Sequence, residues 1–374
     1  MKALEQFHQV VVGRHQYAKE WKSRTGGKAM GYLCTYVPEE VAYAAGVLPV
    51  RIMGSHQPQS VTDNYVFSMW CAYCRDCLAQ GLLGRYDYLD GITYAQTCQH
   101  IRQTFDSWLE HVPIRFSYDM YMPSSLHLPL AVDCLSGELR DFQKALEGWV
   151  GRSISNSDLE RAVETYNTNR RLMTQVYELR RGTAPPINGV EAMEMVLASM
   201  FMDKEEHNGL LRQALTEMEG RQGQKPGVRL MLLGSENDDT DLVGFVESMG
   251  GQIVVDDHCT GTRYFWGEAP AGDDILTAIA QRYVDRPPCP IKDLSADRKR
   301  LHHVVNLARE YGAKGAIIIL EKFCDPHEYD IPPIQNALRE ADIPTLMLEV
   351  DATIPVGQFR TRIEAFLEML EAGV

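Results

Sequence analysis

Residues 316–320 read Ala-Ile-Ile-Ile-Leu, an apolar run that lies between charged segments. Comparable runs recur in the C-terminal part of the chain, at residues 228–233, 252–255 and 344–348. Helical patterns accompany these four segments, at residues 240–250, 294–312, 331–341 and 356–371. Strands that are apolar on both faces and alternate with helices are typical of a parallel sheet covered on both sides. The C-terminal part is therefore predicted to be a doubly wound α/β domain.

The N-terminal part repeats this alternation. Its predicted strands lie in residues 31–37, 47–52 and 88–94, and its predicted helices in residues 1–30, 68–83 and 96–109. Pro38-Glu39-Glu40 is a helix-start signature, because proline and carboxylates are favoured in the first turn of a helix. This part is therefore predicted to be a second doubly wound domain.

Residues 139–220 are highly charged and helical in pattern, with a break at 183–189. Ser157-x-x-Glu160 is predicted to be the capping box that opens the second helix of this region. Residues 223–227 read as a linker. The predicted organisation is α/β, with two small doubly wound parallel-sheet domains and a helical insertion; the predicted domains are residues 1–135, 136–224 and 225–374.

Charge and composition exclude several classes of function. The 374-residue chain carries 37 basic and 51 acidic residues, a formal net charge of −14, which disfavours binding to a nucleic-acid backbone. Its apolar runs are far shorter than the roughly 20 residues of a membrane span, and its first residues lack the pattern of a signal peptide. We expect a cytoplasmic protein that binds neither nucleic acid nor membrane. Nine cysteines without a secretion signal argue against a disulfide framework and fit a reducing, anaerobic setting.

Three cysteines follow predicted strands. Cys34 lies near the end of the first strand, Cys98 follows residues 88–94 and Cys324 follows residues 316–320. Ligands of open parallel sheets bind beyond the carboxyl ends of the strands. Three soft thiolates that converge there would suit an iron–sulfur cluster or a zinc ion. For any one of them the alternative is a buried cysteine that acts as a small hydrophobic residue.

Cys71, Cys74 and Cys77 form a C-x₂-C-x₂-C run, but position 81 is glycine where a ferredoxin run would have its fourth cysteine. On a helix the three thiols spread over about 120°, too wide for one compact cluster. Cys74 and Cys77 are therefore interpreted as packing residues, and Cys71 as a possible ligand.

Further residues lie beside these strand ends. Cys259 also follows a predicted strand and could line the same crevice, whereas Cys134 and Cys289 have no supporting context. Arg263 either binds an anion or pairs with the nearby aspartates. His100 is interpreted as a packing or capping residue. Glu39 is a candidate general acid or base, with electrostatic capping of its helix as the alternative.

Other catalytic motifs are absent from the sequence. The chain contains no GxxxxGK[ST], GxGxxG, GxSxG or HExxH motif, so nothing in it indicates a P-loop, a dinucleotide fold, an α/β-hydrolase or a zincin.

The segment Gly31-Tyr-Leu-Cys-Thr-Tyr-Val-Pro-Glu-Glu-Val-Ala-Tyr-Ala-Ala-Gly46 resembles the entry motif of the 2-hydroxyacyl-CoA dehydratase and benzoyl-CoA reductase family. The segments around Cys98, at 256–265 (DDHCTGTRYF) and at 322–326 (KFCDP) resemble the same family in the same order. The GTRYFWGEA stretch and the chain length are most similar to the smaller substrate-reducing subunit of ATP-dependent benzoyl-CoA reductase.

This resemblance implies flavodoxin-like domains, a homologous sister subunit and a [4Fe–4S] cluster held by three cysteines. It also implies an acyl-CoA substrate and a separate ATP-hydrolysing iron–sulfur protein that donates electrons. Cys98 and Cys324 are the firmest matches to the ligands, Cys34 and Cys71 compete for the third place, and Glu39 matches an acidic residue near the substrate.

The function expected from the resemblance is the reduction of an aromatic acyl-CoA ring, with low-potential electrons, in anaerobic aromatic degradation. The alternatives are a subunit of a 2-hydroxyacyl-CoA dehydratase, which expels the hydroxyl through a ketyl radical, and a double-cubane-cluster reductase of the same superfamily. A structural partner of a catalytic sister subunit and a plain zinc protein are the remaining possibilities.

Overall fold

The computed structural model describes residues 1–57, 60–353 and 356–373. The strands in this part of the chain are β1 (Lys28–Tyr32), β2 (Val47–Arg51), β3 (Gly91–Ala95), β4 (Phe116–Met120), β5 (Val228–Gly234), β6 (Gly251–Asp257), β7 (Gly315–Glu321) and β8 (Thr345–Val350).

The helices of the first half are α1 (Lys2–Val12), α2 (Arg14–Thr25), α3 (Glu39–Ala44), α4 (Ala72–Leu82), α5 (Gln99–His111), α6 (Ala131–Val150) and α7 (Asn156–Glu178). Those of the second half are α8 (Gly189–Ser199), α9 (Lys204–Met218), α10 (Thr240–Ser248), α11 (Thr262–Phe265), α12 (Ile275–Asp285), α13 (Lys299–Glu310), α14 (Asp325–Glu340) and α15 (Val356–Ala372). Short 3₁₀ helices cover Leu179–Arg181 and Pro290–Lys292.

The strands form two four-stranded sheets of the same topology. Their orders are β2-β1-β3-β4 and β6-β5-β7-β8, and every neighbouring pair is parallel. The predicted fold class is confirmed. In each sheet the chain order reverses between the two central strands, β1 and β3 in one and β5 and β7 in the other. Such a reversal opens a crevice at the carboxyl ends of those strands, and this is where doubly wound sheets bind ligands.

The apolar runs form these strands because both of their faces are covered. All seven residues of β7 are buried, and Ile317, Ile318 and Ile319 have no exposed surface. Full burial of one such side chain contributes about 1.5–3 kcal/mol. The larger hydrophobic core contains residues of both sheets, among them Ile92 and Ile318, so the two sheets share one continuous interior.

The long helices surround both sheets. Helix α6 packs against α12 and β4, α7 packs against α9 and α3, and α8 packs against α1 and α10. The domain boundaries given above remain predictions. No helix in residues 1–57, 60–353 and 356–373 has the length and apolar character needed to cross a membrane.

The helix predicted at residues 1–30 is two helices, α1 and α2, because Gly13 ends the first and Gly26, with a φ of 68°, ends the second. The strand predicted at 31–37 begins earlier, at Lys28, and ends at Tyr32.

Three further details differ from the sequence predictions, and the first is the cap of α7. This helix is capped by Ser155 with Asp158, not by Ser157 with Glu160: Ser155 accepts from the Asp158 backbone N–H, and the Asp158 side chain accepts from the Ser155 N–H. The predicted motif was wrong by two residues because aspartate serves as well as glutamate at this position.

The other two details are the start of α14 and the strand β4. Helix α14 begins at Asp325, six residues before the predicted start, because Pro326 lies in its first turn, where no backbone N–H is needed. Strand β4 was missed, since two of its five residues are exposed at the edge of the sheet and its sequence is not apolar throughout.

Candidate functional site

Cysteines from both sheets line one cavity. The cavity has a volume of about 90 Å³, enough for several water molecules, and lies at the carboxyl ends of the central strands. Seven of the nine cysteines line it: Cys34, Cys71, Cys74, Cys98, Cys259, Cys289 and Cys324. The other two are Cys77, whose thiol donates to the carbonyl of Ile52, and the exposed Cys134.

The reversal in the first sheet positions Cys34 and Cys98. Cys34 follows β1, and Cys98 follows β3 as the N-cap residue of α5. The Thr97 hydroxyl donates to Sγ of Cys34 across 3.5 Å, which connects the two loops. Both cysteines are partly exposed to the cavity. The structure thus brings together two of the predicted ligands that are far apart in sequence.

The reversal in the second sheet positions Cys324. This residue follows β7 and is the N-cap residue of α14, so its thiol is not inside a helix, as predicted. Phe323 before it has a φ of 62°, a left-handed conformation that non-glycine residues rarely adopt and that costs of order 1 kcal/mol. Sγ of Cys324 lies 3.2 Å from Nδ1 of His327, one turn along α14.

Cys71 is the N-cap residue of α4 and is more deeply buried than Cys34. Its backbone N–H donates to Nδ1 of His100 at 3.3 Å, and the His100 ring packs on Trp70. His100 is therefore a packing and capping residue, as predicted. Cys74 is buried in the hydrophobic core, in agreement with its interpretation as a packing residue, and it also lines the cavity.

Cys259 enters the cavity from the second sheet, as its position after β6 predicted. Burial opposes its ionisation, but Arg263, Arg51 and Arg286 lower the pKa of this thiol below its usual value.

The loops around Cys259 depend on two glycines. At Gly234, φ is 125° and a Cβ would lie 2.0 Å from the Ile319 carbonyl oxygen. A Cβ on Gly261 would lie 1.7 Å from Oδ1 of Asp256. Neither position accepts a side chain without movement of its neighbours, so glycine is required at both.

Arg263 is fully buried. Its Nε lies 3.5 Å from Oδ1 of Asp257, and its Nη2 donates to the Gly234 carbonyl at 2.7 Å. Asp257 also pairs with Arg300. Of the two predicted roles for Arg263, pairing with an aspartate is therefore the one that the structure supports.

Among the residues of the cavity that the sequence analysis did not predict are three charged side chains and one cysteine, Arg51, Glu236, Glu321 and Cys289. Arg51 and Glu321 end β2 and β7, and Glu236 follows β5 by two residues. The criterion that singled out the cysteines, a position at a strand end, would have found these three as well. Burial raises the pKa of the Glu236 and Glu321 carboxyls well above their usual value.

Glu39 does not line this cavity. It is buried in a separate cluster, where its Oε2 accepts from the hydroxyls of Tyr166 and Tyr264, each at 3.1 Å, and lies 3.7 Å from Nζ of Lys204. Burial lowers the pKa of Lys204 to about 8. Helix α3 holds Glu39 in its first turn, without a side-chain capping bond. Its catalytic role remains a prediction.

The chemistry of the cavity fits an iron–sulfur cluster. Thiols approach from several sides, and soft sulfur donors are the ligands that iron–sulfur clusters use. Cys34, Cys98 and Cys324 come from loops that both sheets fix in place. In the part of the chain that the structure describes, no group of three or more His, Cys, Asp or Glu side chains is arranged to hold a single metal ion.

Three curated proteins are similar to this chain over most of its length. The (R)-phenyllactyl-CoA dehydratase beta subunit of Clostridium sporogenes is 28% identical over 99% of both chains, and the beta subunit of lactoyl-CoA dehydratase of Anaerotignum propionicum is 26% identical over 98% of both. A benzoyl-CoA reductase subunit of Thauera aromatica is 26% identical over 87% of this chain and 86% of its own. All three are enzyme subunits, and the resemblance inferred from the sequence motifs is confirmed.

Residues 34–370 match the family described as "2-hydroxyglutaryl-CoA dehydratase, D-component". The match begins at Cys34 and includes every residue that lines the cysteine cavity except Leu33. This chain belongs to the 2-hydroxyglutaryl-CoA dehydratase D-component family.

Proposed function

We propose that this chain is the [4Fe–4S]-carrying subunit of an enzyme that acts on an acyl-CoA thioester, and that the cysteine cavity is the cluster site. The observation that carries this proposal is the convergence of thiols at the reversal points of both sheets. A cluster bound there would supply single low-potential electrons to the acyl group.

We assign the three ligand positions to Cys34, Cys98 and Cys324. All three are partly exposed to the cavity, whereas Cys71, the competitor for the third place, is buried at the start of α4. The Thr97 hydroxyl that donates to Sγ of Cys34 also favours it, because hydrogen bonds from the surrounding protein orient the ligands of a metal centre.

The first candidate reaction is dehydration of a 2-hydroxyacyl-CoA. The relatives named as dehydratase subunits are matched over 98–99% of this chain, and the benzoyl-CoA reductase subunit over 87%. Ring reduction of benzoyl-CoA, the reaction expected first from the sequence, is the second candidate, supported by the GTRYFWGEA stretch that spans α11.

Product analysis separates these two reactions. The full chain, its sister subunit and an ATP-hydrolysing electron donor are incubated anaerobically with (R)-phenyllactyl-CoA, lactoyl-CoA or benzoyl-CoA. Formation of an enoyl-CoA without net consumption of reductant supports dehydration. A dienoyl-CoA formed at the expense of reductant supports ring reduction. No turnover of any thioester, by a complex that holds its iron, contradicts the proposal.

A double-cubane cluster is a further candidate, and one observation favours it. Four cavity cysteines remain after the three proposed ligands are assigned: Cys71, Cys74, Cys259 and Cys289. Metal analysis distinguishes the two cases, because a double cubane contains about eight irons per chain and a single cubane about four.

Glu39→Gln tests whether Glu39 is catalytic. The substitution preserves the shape of the side chain and its contacts with two tyrosine hydroxyls. If Glu39 is a catalytic acid, the variant should lose turnover by about 10²-fold or more, while its iron content and assembly stay unchanged. Unchanged turnover would make Glu39 a structural residue. Arg263 is unsuitable for such a test, because its removal would break the buried contact with Asp257.

A further inference from the structure

One buried basic side chain lines the cysteine cavity, and two more contact the loops that carry its cysteines. Arg51 lines it and has only about 2% of its surface exposed, and its Nε and Nη1 have no hydrogen-bond partner. Arg286 donates to the carbonyl oxygen and the hydroxyl of Thr35, next to Cys34, and its Nε has no partner. Lys292 donates to three carbonyls, one of them that of Gln96, two residues before Cys98.

None of these three cations pairs with a carboxylate in the described residues, whereas several other buried cations of the chain do. Arg170 pairs with Glu40, and Arg263 and Arg300 pair with Asp257. Arg51 instead lies over the rings of Tyr32 and Tyr73, and Arg286 lies 3.9 Å above the ring of Tyr36. A buried charge without a counter-charge is costly, so the missing negative charge is expected inside the cavity.

The two acidic residues of the cavity do not supply it. Glu236 and Glu321 line the cavity, but neither lies within ion-pairing distance of the three cations, and both oxygens of Glu236 lack a hydrogen-bond partner. Burial raises the pKa of both carboxyls and so favours their neutral form. The positive charge of the three side chains is therefore available to thiolates in the cavity.

We infer that Arg51, Arg286 and Lys292 compensate the negative charge of the thiolate-bound cluster and raise its reduction potential, with Arg51 as the donor that faces the cavity. This inference rests on the proposed function. A cluster held by three thiolates is anionic, and each added electron makes it more so, so nearby fixed cations favour the reduced form. The three residues would be positioning residues that set how readily the site accepts an electron.

The test is an EPR-monitored redox titration of the anaerobically purified full chain and its variants Arg51→Gln, Arg286→Gln and Lys292→Gln. At a fixed potential, we expect each variant to lower the ratio of reduced to oxidised cluster about tenfold, a midpoint shift of about 59 mV to more negative values. Arg51→Lys keeps the charge and should restore most of the ratio.

Arg282→Gln is the matched control. Arg282 is also buried without a carboxylate partner in the described chain, but it donates to carbonyls of residues 264–267, none of which lies within two residues of a cavity cysteine. We expect a smaller change in potential for this variant. Loss of iron from a cavity variant with an unchanged thermal melt would also support compensation. Iron bound normally, with the wild-type potential in all three variants, would overturn the inference. Absence of iron from the wild-type chain would instead refute the proposed function.

Discussion

The Thr97 hydroxyl donates to Sγ of Cys34 across 3.5 Å, and thereby ties the loop after β1 to the loop after β3. Thr97 immediately precedes Cys98, so this one bond places two candidate ligands side by side although 63 residues separate Thr97 from Cys34. The contact follows from the topology, because the two central strands of the sheet end at the same edge.

The third ligand can be identified by a pair of variants. We expect Cys34→Ala to lose most of the bound iron and Cys71→Ala to retain it, because Cys34 is partly exposed to the cavity and Cys71 is buried. Iron and acid-labile sulfide analysis of both variants shows which of the two cysteines binds the cluster. Cys77→Ala serves as a buried control outside the cavity. The reverse result would assign the ligand position to Cys71.

The buried aspartate beside the cavity is predicted to be essential for stability. Asp257 is fully buried against Arg263 and Arg300, and these arginines hold the pKa of its carboxyl well below its usual value, although burial acts to raise it. Asp257→Asn leaves the buried Arg263 without a carboxylate partner and leaves Arg300 with Asp330 alone, and should cost about 3–5 kcal/mol in urea unfolding. Asp274→Asn, which removes an exposed ion pair with Arg140, should cost about 1 kcal/mol or less. Equal losses would contradict this role of Asp257.

The buried Lys204 is expected to make the free energy of unfolding depend on pH. Burial lowers the pKa of Lys204 to about 8 in the folded chain, below its value of about 10.4 in the unfolded chain. Between these values the unfolded state binds more protons, so this residue makes the free energy of unfolding rise with pH from about 8 to about 10.4. The contribution is on the order of 3 kcal/mol.

Denaturant titrations of the wild type and of Lys204→Met across this range measure that contribution. The difference in unfolding free energy between the two proteins should change with pH. Lys19→Met, at an exposed position, serves as the control. A difference that is constant between about pH 8 and about pH 10 would show that Lys204 stays charged in the folded chain.

The cap of α7 can be tested by two serine substitutions. Ser155→Ala should destabilise the chain by about 1 kcal/mol, since its side chain accepts from the N–H of Asp158. Ser157→Ala should have a smaller effect, because Ser157 lies inside the first turn. Thermal unfolding compares the stability of the two variants directly. A larger loss of stability for Ser157→Ala would support the capping box predicted from the sequence.

The fold class and the strand-end cysteines could be predicted from the sequence because both follow from periodicity. Short apolar runs such as 316–320 that alternate with helical segments favour covered parallel strands, and the residue that follows such a strand lies at the ligand edge. Cys289 could not be found in this way, since a 3₁₀ turn and not a strand brings it to the cavity. The position of Arg51 at the end of β2 could have been recognised from the sequence, but the absence of a carboxylate partner for its charge could not.

The surroundings of Glu39 also could not be predicted from the sequence. The sequence places it at the start of a helix five residues after Cys34, which predicts proximity to the cavity. The side chain instead contacts tyrosines from α7 and α11, elements that are more than 100 residues away in sequence. Long-range packing of this kind is not encoded in local pattern.

The most direct test of the central claim is anaerobic iron and acid-labile sulfide analysis, with EPR of the reduced protein, on the wild type, Cys98→Ala, Cys324→Ala and Cys134→Ala. We predict about four irons per chain in the wild type, or about eight if the cluster is a double cubane. Cys134→Ala, which changes an exposed thiol, should keep the wild-type content and signal. Cys98→Ala and Cys324→Ala should lose at least half of the iron and the cubane EPR signal. A wild-type chain without iron, or variants that retain all of it, would contradict a cluster in the cysteine cavity.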